Sequence, residues 1–322
     1  MRFLSNDRAR INMKKKVALI TTVFDEGQSI ISFLGSIKHQ TKQPNEIIIV
    51  DAKSKDETVD LIDKFQQQNP LMVIKLFIRE GNRSAGRNEA IQKSSSELIA
   101  ATDAGCILDS KWLESITKPF EKIVNIDIVS GWYQPDAKTF FEDCLGYYSI
   151  PPLTKINPNE FLPSARSICF RKSAWESIGG FNENMTLSED TDFNLRLKGA
   201  GFKFVFEPRA KVYWRPRKNF IQLFRQSFSY NYSDAQKNIL IYQKRLIVAA
   251  VFIIIMTTLL MLIDHKLIVV PMALILVFLL HKSYYKKLSS VIIIPLIKII
   301  TISGALTGFC AGKFSKITRL IK

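Results

Sequence analysis

The sequence is poor in the residues that hold small secreted domains together. Its 322 residues include four cysteines, which lie far apart and show no paired spacing: Cys106, Cys144, Cys169 and Cys310. This spacing argues against a disulfide framework and against a cysteine-based zinc site, and it is typical of a reducing compartment. Residues 1–16 form a basic extension that lacks a continuous apolar core, so we predict no secretory signal.

Acidic residues are outnumbered, since 45 Lys and Arg against 29 Asp and Glu give a formal net charge of +16. A charge of this size suits a nucleic acid, an anionic membrane surface or an anionic substrate. No basic-aromatic motif typical of nucleic-acid binding is present, and the Lys and Arg residues crowd around hydrophobic segments near the C-terminus. We therefore predict a membrane surface, and no nucleic acid, as the partner that this charge serves.

Short apolar runs alternate with amphipathic segments over about the first third of the chain. The runs predict four buried strands, at 17–23, 46–50, 72–78 and 98–101. The segments between them predict helices, because their apolar residues recur at the i, i+3, i+4 spacing of one helix face. Strands that alternate with helices predict an α/β fold with a parallel sheet wound in βαβ units.

Two carboxylates follow strands of this predicted sheet. Asp51 ends the second strand, and Asp103 comes directly after the fourth. Because the carboxyl ends of parallel strands share the edge where ligands bind, we expect both side chains near a ligand. Two interpretations of Asp103 stay open: a cap for a helix that begins near Asp109, or a group that holds a metal-bound phosphate.

Later segments extend this domain to about residue 232. The pattern predicts one helix and four further strands, at 112–123, 126–132, 164–170, 203–206 and 210–214. The acidic run 188–192 predicts a helix cap, and 220–230 predicts a basic-aromatic amphipathic helix suited to a membrane surface. The aromatic-rich stretch 133–163 is either an insertion over the site or a surface segment packed on the core.

Residues 233–322 are far more hydrophobic than the rest and predict a membrane-associated helical region. Segment 246–263 runs eighteen residues without a charge, and 267–280 is apolar over fourteen residues. A third apolar segment, 291–312, is interrupted by proline, lysine and glycine. Basic clusters flank these segments, and a transmembrane hairpin of the first two, with the third in the membrane interface, puts all clusters on one side. A third full span is the alternative.

Five motifs, in order and spacing, resemble glycosyltransferase family 2. They are Val-Ala-Leu-Ile-Thr-Thr-Val-Phe-Asp-Glu-Gly (17–27), Gln-Thr-Lys-Gln-Pro-Asn-Glu-Ile-Ile-Ile-Val-Asp (40–51), Thr-Asp-Ala-Gly-Cys (102–106), Gly-Gly-Phe-Asn-Glu (179–183) and Ser-Glu-Asp-Thr-Asp-Phe-Asn-Leu-Arg-Leu (188–197). The resemblance covers residues 17–217. It implies a GT-A fold, which is Rossmann-like with a mostly parallel sheet, a nucleotide-sugar donor, and inversion at the anomeric carbon.

The resemblance also implies how the donor is bound. Asp51 would accept a hydrogen bond from the base or ribose, assisted by Asp25 and Glu26, whose structural alternative is helix capping. Asp103 matches the first aspartate of the Asp-X-Asp motif of the family and would ligate Mg²⁺ or Mn²⁺ through oxygen.

The acid–base residues come from the same resemblance. Asp190 matches the base that deprotonates the acceptor hydroxyl, and Glu189 beside it would raise its proton affinity by like charge. The alternative for this pair is an acidic first turn stabilised by the helix dipole. Arg83 and Arg87 match a basic segment that steers the phosphates, and their alternative is solvated surface charge.

Two departures from the family pattern concern the metal. The second acid of Asp-X-Asp is Gly105, and no histidine lies within residues 40–264 to complete a metal shell. Either the cation is held by Asp103, the donor phosphates and water, or Arg215 and Arg217 supply part of the positive charge.

The sequence thus predicts an enzyme attached to the inner membrane with its catalytic domain on the cytoplasmic face. It would add a single sugar to a lipid-linked or membrane-associated acceptor during surface polysaccharide or glycolipid assembly. The Gln-x-x-Arg-Trp pattern typical of processive members is absent. The alternatives are a non-catalytic scaffold that keeps the fold and a processive polysaccharide synthase.

Overall fold

The computed structural model describes residues 15–185, 187–237 and 290–321. The chain divides into two units. The first comprises Met1–Asp136 and Pro151–Arg215, and the second comprises Ala137–Ile150 and Pro216–Lys322.

The first third of the chain forms the strands and helices that its apolar pattern predicts. The strands are β1 (Val17–Val23), β2 (Glu46–Asp51), β3 (Ile74–Ile78) and β4 (Leu98–Ala101), and the helices are α1 (Ser29–Lys38), α2 (Thr58–Gln68) and α3 (Arg83–Lys93). All pairs among these strands are parallel, in the order β3-β2-β1-β4. Strands β1, β2 and β4 are buried almost throughout, as expected where helices cover both faces of a sheet.

The later elements complete the sheet and the second unit. In chain order they are β5 (Cys106–Leu108), α4 (Trp112–Thr117), α5 (Pro119–Lys122), β6 (Ile128–Pro135), α6 (Phe140–Ser149), a 3₁₀ turn (Leu153–Lys155), β7 (Ile168–Arg171), α7 (Lys172–Ser177), α8 (Glu189–Gly199), β8 (Phe204–Trp214), α9 (Phe220–Lys237) and α10 (Ser290–Ile321).

The complete sheet is mixed, with four parallel and three antiparallel strand pairs, so the parallel pairs predominate as predicted. Its order is β3-β2-β1-β4-β7-β6-β8-β5. Strand β7 runs antiparallel to both β4 and β6, and β5 runs antiparallel to β8. The sequence predicted the positions of later strands but contained no signal for their direction, because direction depends on partners distant in the chain.

Three element boundaries also differ from the prediction. The three-residue strand β5 was not predicted, since so short a run has no readable period. The two strands predicted at 203–206 and 210–214 are one strand, β8, which pairs with β6 across a register shift. The helix predicted over 112–123 divides into α4 and α5 at Pro119, which has no N–H to continue the first helix.

The second unit packs α10 closely against α9. Gly304, Gly308 and Gly312 lie along one face of α10 at four-residue spacing, and a Cβ at Gly308 would stand 2.2 Å from the carbonyl oxygen of Phe228 in α9. Glycine is required here because the two backbones approach so closely. Helix α10 includes the whole of segment 291–312, which was predicted to be helical.

Within the described ranges, no helix combines the length and the apolar character needed to cross a bilayer. The segments predicted to span the membrane, 246–263 and 267–280, lie outside the described residues.

A buried carboxylate ties the amino end of β2 to the segment that precedes β4. The Glu46 side chain accepts hydrogen bonds from Ser94 Oγ, Ser95 N–H and Ser96 Oγ at 2.7–2.9 Å, and from Lys75 Nζ at 2.7 Å. Burial alone raises the pKa of Glu46, but the hydrogen bonds from Lys75 and the serines outweigh it and lower the pKa to about 2.

We expect Glu46→Gln to lower the free energy of unfolding at pH 7 by about 2 kcal/mol, because charge-assisted hydrogen bonds are lost. The folded-state pKa lies below the ordinary value, so this contribution is complete above about pH 4.5 and is lost as the pH falls towards about 2. Urea unfolding of both proteins across this pH range measures the difference. The exposed Glu176→Gln is the control, and a deficit for Glu46→Gln that stays constant with pH would contradict the account.

Candidate active site

Two loops at the carboxyl edge of the sheet hold Asp25 and Asp51 together. The buried Asp51 carboxylate accepts hydrogen bonds from Ser54 N–H and Ser54 Oγ, while Ser54 Oγ in turn accepts from Asp25 N–H. Asp25 Oδ1 accepts from Lys55 N–H at 2.8 Å. Asp25 adopts a left-handed backbone, with φ of 50°, as does Lys53, with φ of 65°. Such strain persists where surrounding contacts impose it, and it concentrates at functional sites.

Glu26 lies next to Asp25, just before α1, and senses the charge of Asp103. Its backbone N–H donates to Thr58 Oγ1 at 2.9 Å, and its carboxylate accepts from Ser29 Oγ at 3.1 Å in the first turn of α1. The Glu26 carboxylate therefore does not cap α1, since it accepts from a serine hydroxyl rather than from a backbone N–H of that helix. Burial raises the pKa of Glu26, and the negative charge of Asp103 raises it further.

A buried arginine connects the predicted metal ligand to the predicted acidic pair. Arg87, on α3, has a side chain that is 3% exposed. Its Nη2 donates to Asp103 Oδ1 at 2.9 Å, and its Nη1 donates to Glu189 Oε1 at 2.8 Å. Asp103 therefore does not cap the helix near Asp109; Asp109 itself accepts from Lys111 N–H there. Arg87 is not a solvated surface charge.

Burial and neighbouring charges shift the pKa values of Asp103 and Arg87. Burial opposes ionisation of Asp103, but the guanidinium groups of Arg87, Arg166 and Arg83 outweigh it and hold the pKa of Asp103 below its usual range. Burial likewise opposes the charge of Arg87, yet Asp103 and Glu189 raise its pKa. Asp103 and Arg87 are thus both charged at neutral pH, and removal of Arg87 would leave the carboxylates of Asp103 and Glu189 without their shared donor.

Asp190 lies beside this ensemble in the first turn of α8. Its Oδ2 accepts from Ala165 N–H at 3.3 Å. Burial raises the pKa of Asp190, and the neighbouring Glu189 raises it further, as the like-charge argument predicts. A carboxylate with a raised pKa binds a proton more readily, which is the property a general base needs.

The Gly-Gly-Phe motif, residues 179–181, packs against α3, the helix that carries Arg87. Gly180 has φ of 75°, and a Cβ there would stand 2.9 Å from Asn88 Oδ1 and from Trp175 Nε1. Asn88 Nδ2 donates to Phe181 O, and Asn88 Oδ1 accepts from Phe181 N–H, both at 2.9 Å. This clamp places the Phe181 ring 5.6 Å from the Arg87 guanidinium. The motif therefore positions Arg87, a role that its sequence did not indicate.

Arg166 joins the site although no motif marked it. Its Nε lies 3.9 Å from Asp103 Oδ2, and its guanidinium lies 5.5 Å from the Tyr133 ring and 5.2 Å from the Trp214 ring. The loop before β7 brings Arg166 to Asp103 from a distance of more than sixty residues along the chain. Only the tertiary fold reveals such a partner.

The other predicted basic residues are placed differently. The half-exposed Arg83 has a terminal nitrogen 4.0 Å from Glu189 Oε1. Arg215 is exposed directly after β8. Arg217 belongs to the second unit, where its Nε donates to Gln226 Oε1 at 3.2 Å.

The residues around Asp103 do not fit a divalent cation site built by the protein. Both carboxylate oxygens of Asp103 face guanidinium nitrogens, Arg87 Nη2 at 2.9 Å and Arg166 Nε at 3.9 Å, whose positive charge disfavours a cation beside them. Gly105 stands where a second acid would ligate the ion. Among the described residues, no group of three His, Cys, Asp or Glu side chains could hold a metal.

Comparison with known proteins identifies the family of the chain. Residues 18–175 match Glycosyl transferase family 2, and residues 120–303 match Glycosyl transferase family group 2. The chain is 25% identical over 225 residues to the O-antigen chain rhamnosyltransferase RfbN of Salmonella typhimurium, which covers 65% of this chain and 70% of RfbN. It is 23% identical over 217 residues to the glycosyltransferase AglE of Haloferax volcanii, with 66% and 70% covered.

Solved structures agree on the fold. The mannosyltransferase PcManGT from Pyrobaculum calidifontis, solved with GDP-Man and Mn²⁺, superposes with a TM-score of 0.58 at 15% identity, covering 98% of this chain and 94% of that one. The GT-A-like α/β architecture predicted from the motifs is thereby confirmed. The chain belongs to glycosyl transferase family group 2 and is a glycosyltransferase.

Proposed function

We propose that the protein transfers one glycosyl group from a nucleoside-diphosphate sugar to a hydroxyl of a lipid-linked or membrane-associated acceptor, with inversion. The observation that carries this proposal is the Asp190 carboxylate at the head of α8. It is held by Ala165 N–H, and its pKa is raised by burial and by Glu189. A proton acceptor of this kind beside a cluster of arginines is what displacement of a phosphate leaving group requires.

The reaction is a single in-line displacement. Asp190 takes the proton from the acceptor hydroxyl as its oxygen forms a bond to the anomeric carbon. The bond from that carbon to the diphosphate oxygen breaks, and its electron pair leaves with the nucleoside diphosphate. Because one displacement occurs at the anomeric carbon, its configuration inverts.

Glu189 acts on this step through its neighbours. Its carboxylate is buried and bound to Arg87, so it raises the proton affinity of Asp190 without contacting the substrates. Arg87 in turn fixes Glu189 and Asp103 in one arrangement. We assign both as positioning residues, and Asp25, Glu26 and Asp51 as the nucleotide-binding edge.

The functions of related proteins support the substrate class. RfbN is an O-antigen chain rhamnosyltransferase, and PcManGT was solved with a nucleotide sugar. For the present chain we propose surface polysaccharide or glycolipid assembly. We also propose attachment to the inner membrane through residues 233–322, with the catalytic unit on the cytoplasmic side where nucleotide sugars are made. The high positive charge favours this placement beside anionic lipid.

A cation at Asp103, Mg²⁺ or Mn²⁺, remains the alternative to charge supplied by arginine. Such an ion would need ligands from the donor diphosphate and water, since Asp103 is the one carboxylate of the turn 102–106. It would supply positive charge to the leaving group. No step above depends on it.

Release of nucleoside diphosphate from a panel of nucleotide sugars tests the proposal. The assay uses detergent-solubilised full-length protein with native membrane lipid as the acceptor. We expect release from one donor, dependent on the lipid extract. Release that needs no acceptor would contradict transfer, and a protein that binds no donor at all would be the non-catalytic scaffold.

A further inference from the structure

Three arginines surround the carboxylates of Asp103 and Glu189. Arg87 is committed to two carboxylates by short hydrogen bonds, to Asp103 and to Glu189, and is almost fully buried. Two more arginines flank the same pair of carboxylates at longer range: Arg166 at 3.9 Å from Asp103, and Arg83 at 4.0 Å from Glu189. At these distances neither guanidinium donates a hydrogen bond to its carboxylate, so an anion that accepts direct hydrogen bonds can compete with that carboxylate; Arg166 Nη1 donates to Ser164 Oγ at 3.3 Å.

Arg166 has the surroundings of a preorganised anion-binding residue. Its side chain is 26% exposed, and its guanidinium lies near the rings of both Tyr133 and Trp214. Aromatic neighbours hold the planar group by cation–π contact and strip part of its hydration. A guanidinium held in this way loses little conformational entropy when it binds a phosphate through two parallel hydrogen bonds.

The loop that carries Arg166 is anchored on both sides. Asn194 Nδ2, from α8, donates to Pro163 O at 2.7 Å, and Ala165 N–H donates to Asp190. On the other side, Ser167 Oγ accepts from Trp112 Nε1 at 2.8 Å and donates to the backbone carbonyl of residue 210 at 3.0 Å. The loop therefore fixes Arg166 relative to the proposed base, as a residue that binds the leaving group requires.

Because residue 105 is glycine, the turn after β4 lacks the second carboxylate that a divalent cation site would use. Gly105 is exposed, and a Cβ built there meets no atom within 4 Å, so no packing constraint demands glycine at this position. Its φ lies outside the left-handed range that would favour glycine. An aspartate could therefore be accommodated, and it would restore the second carboxylate of a cation site.

We infer that the donor diphosphate is bound by the guanidinium groups of Arg166 and Arg83, and that this binding does not require a divalent cation. The inference rests on the proposed function, because it concerns the donor of that reaction. When the bond to the anomeric carbon breaks, these guanidinium groups neutralise the charge that develops on the departing diphosphate. The bonds formed and broken are those of the displacement proposed above, because the guanidinium groups only neutralise charge.

Calorimetric titration of the full-length protein with UDP, GDP and dTDP tests the inference, each with EDTA or with MgCl₂ or MnCl₂. We expect one nucleotide to bind with the same Kd, within about twofold, in EDTA and in the metals. Arg166→Gln should weaken that binding at least about tenfold, because a charge-assisted contact is lost. Arg209→Gln, at a side chain that is 71% exposed, is the matched control and should not change it.

Gly105→Asp supplies an independent test in the opposite direction. We expect this variant to bind the same nucleotide more tightly in Mg²⁺ or Mn²⁺ than in EDTA, unlike the wild type. Wild-type binding that appears only with a cation would overturn the inference while leaving the proposed function intact. Binding of none of the nucleotides in any condition would instead contradict the proposed function. A wild-type Kd that Arg166→Gln leaves unchanged would also overturn the inference.

Discussion

Asp190→Asn lowers the rate of sugar transfer by at least about a thousandfold, because the amide cannot accept the proton of the acceptor hydroxyl. The change preserves shape and removes the basic oxygen. The Kd for nucleoside diphosphate should change by less than about threefold, since the acceptor side alone loses its partner. Single-turnover transfer and calorimetric titration on the same preparations measure the two quantities.

The control is Asp192→Asn, two residues along the same helix, where the carboxylate pairs with Arg196 rather than with the site. It should transfer sugar at the wild-type rate. The raised pKa of Asp190 adds a second readout, because wild-type kcat/KM should fall as the pH drops through a value above the ordinary aspartate range. Equal losses of transfer and of donor affinity in Asp190→Asn would remove Asp190 from the role of base.

Arg87→Met lowers the free energy of unfolding by about 3–5 kcal/mol, the largest stability effect we expect from a single substitution outside the apolar core. Methionine fills much of the same space but leaves two carboxylates without their shared donor, that of Asp103, which is 33% exposed, and that of the buried Glu189. Chemical denaturation followed by circular dichroism measures the loss.

A second substitution shows whether the stability loss of Arg87→Met comes from unpaired charge or from lost packing. If unpaired charge causes the loss, Arg87→Met combined with Glu189→Gln should recover part of the stability, because one of the two stranded carboxylates becomes neutral. Lys53→Met, at an ion pair with Glu80 in which both side chains are exposed, should leave stability nearly unchanged. A double variant no more stable than Arg87→Met would assign the loss to packing instead.

Half of the sheet could be predicted because its information is local. Strands β1 to β4 are short apolar runs between amphipathic helices, and that pattern alone determines a parallel arrangement. The other half depends on distant pairings. Strand β7 lies between β4 and β6, and β5 pairs with β8 about a hundred residues later, so the antiparallel directions had no local signal.

The site shows the same division. The motifs brought Asp103, Glu189 and Asp190 to attention, and the structure places them around one buried arginine. The sequence suggested Arg87 as a surface group or a phosphate ligand, because a helical pattern does not reveal which arginine is buried. Arg166 could not be predicted, since its partners come from β6, β8 and the turn after β4.

For Asp51, the sequence predicted the position and the structure shows the hydrogen-bond partners. The sequence places it at the correct edge of the sheet, and the structure binds its carboxylate to Ser54. The contact orders the loop that also holds Asp25. A role in nucleotide binding therefore stays a prediction, and the hydrogen bonds explain why the loop keeps its shape.

The central claim is one displacement at the anomeric carbon with Asp190 as the base, and product stereochemistry tests it most directly. The measurement is the anomeric configuration of the newly formed glycosidic bond, read by nuclear magnetic resonance on product made from the donor that the panel identifies. A single displacement predicts a configuration opposite to that of the donor. A product that retains the donor configuration would require a second displacement and would contradict the account.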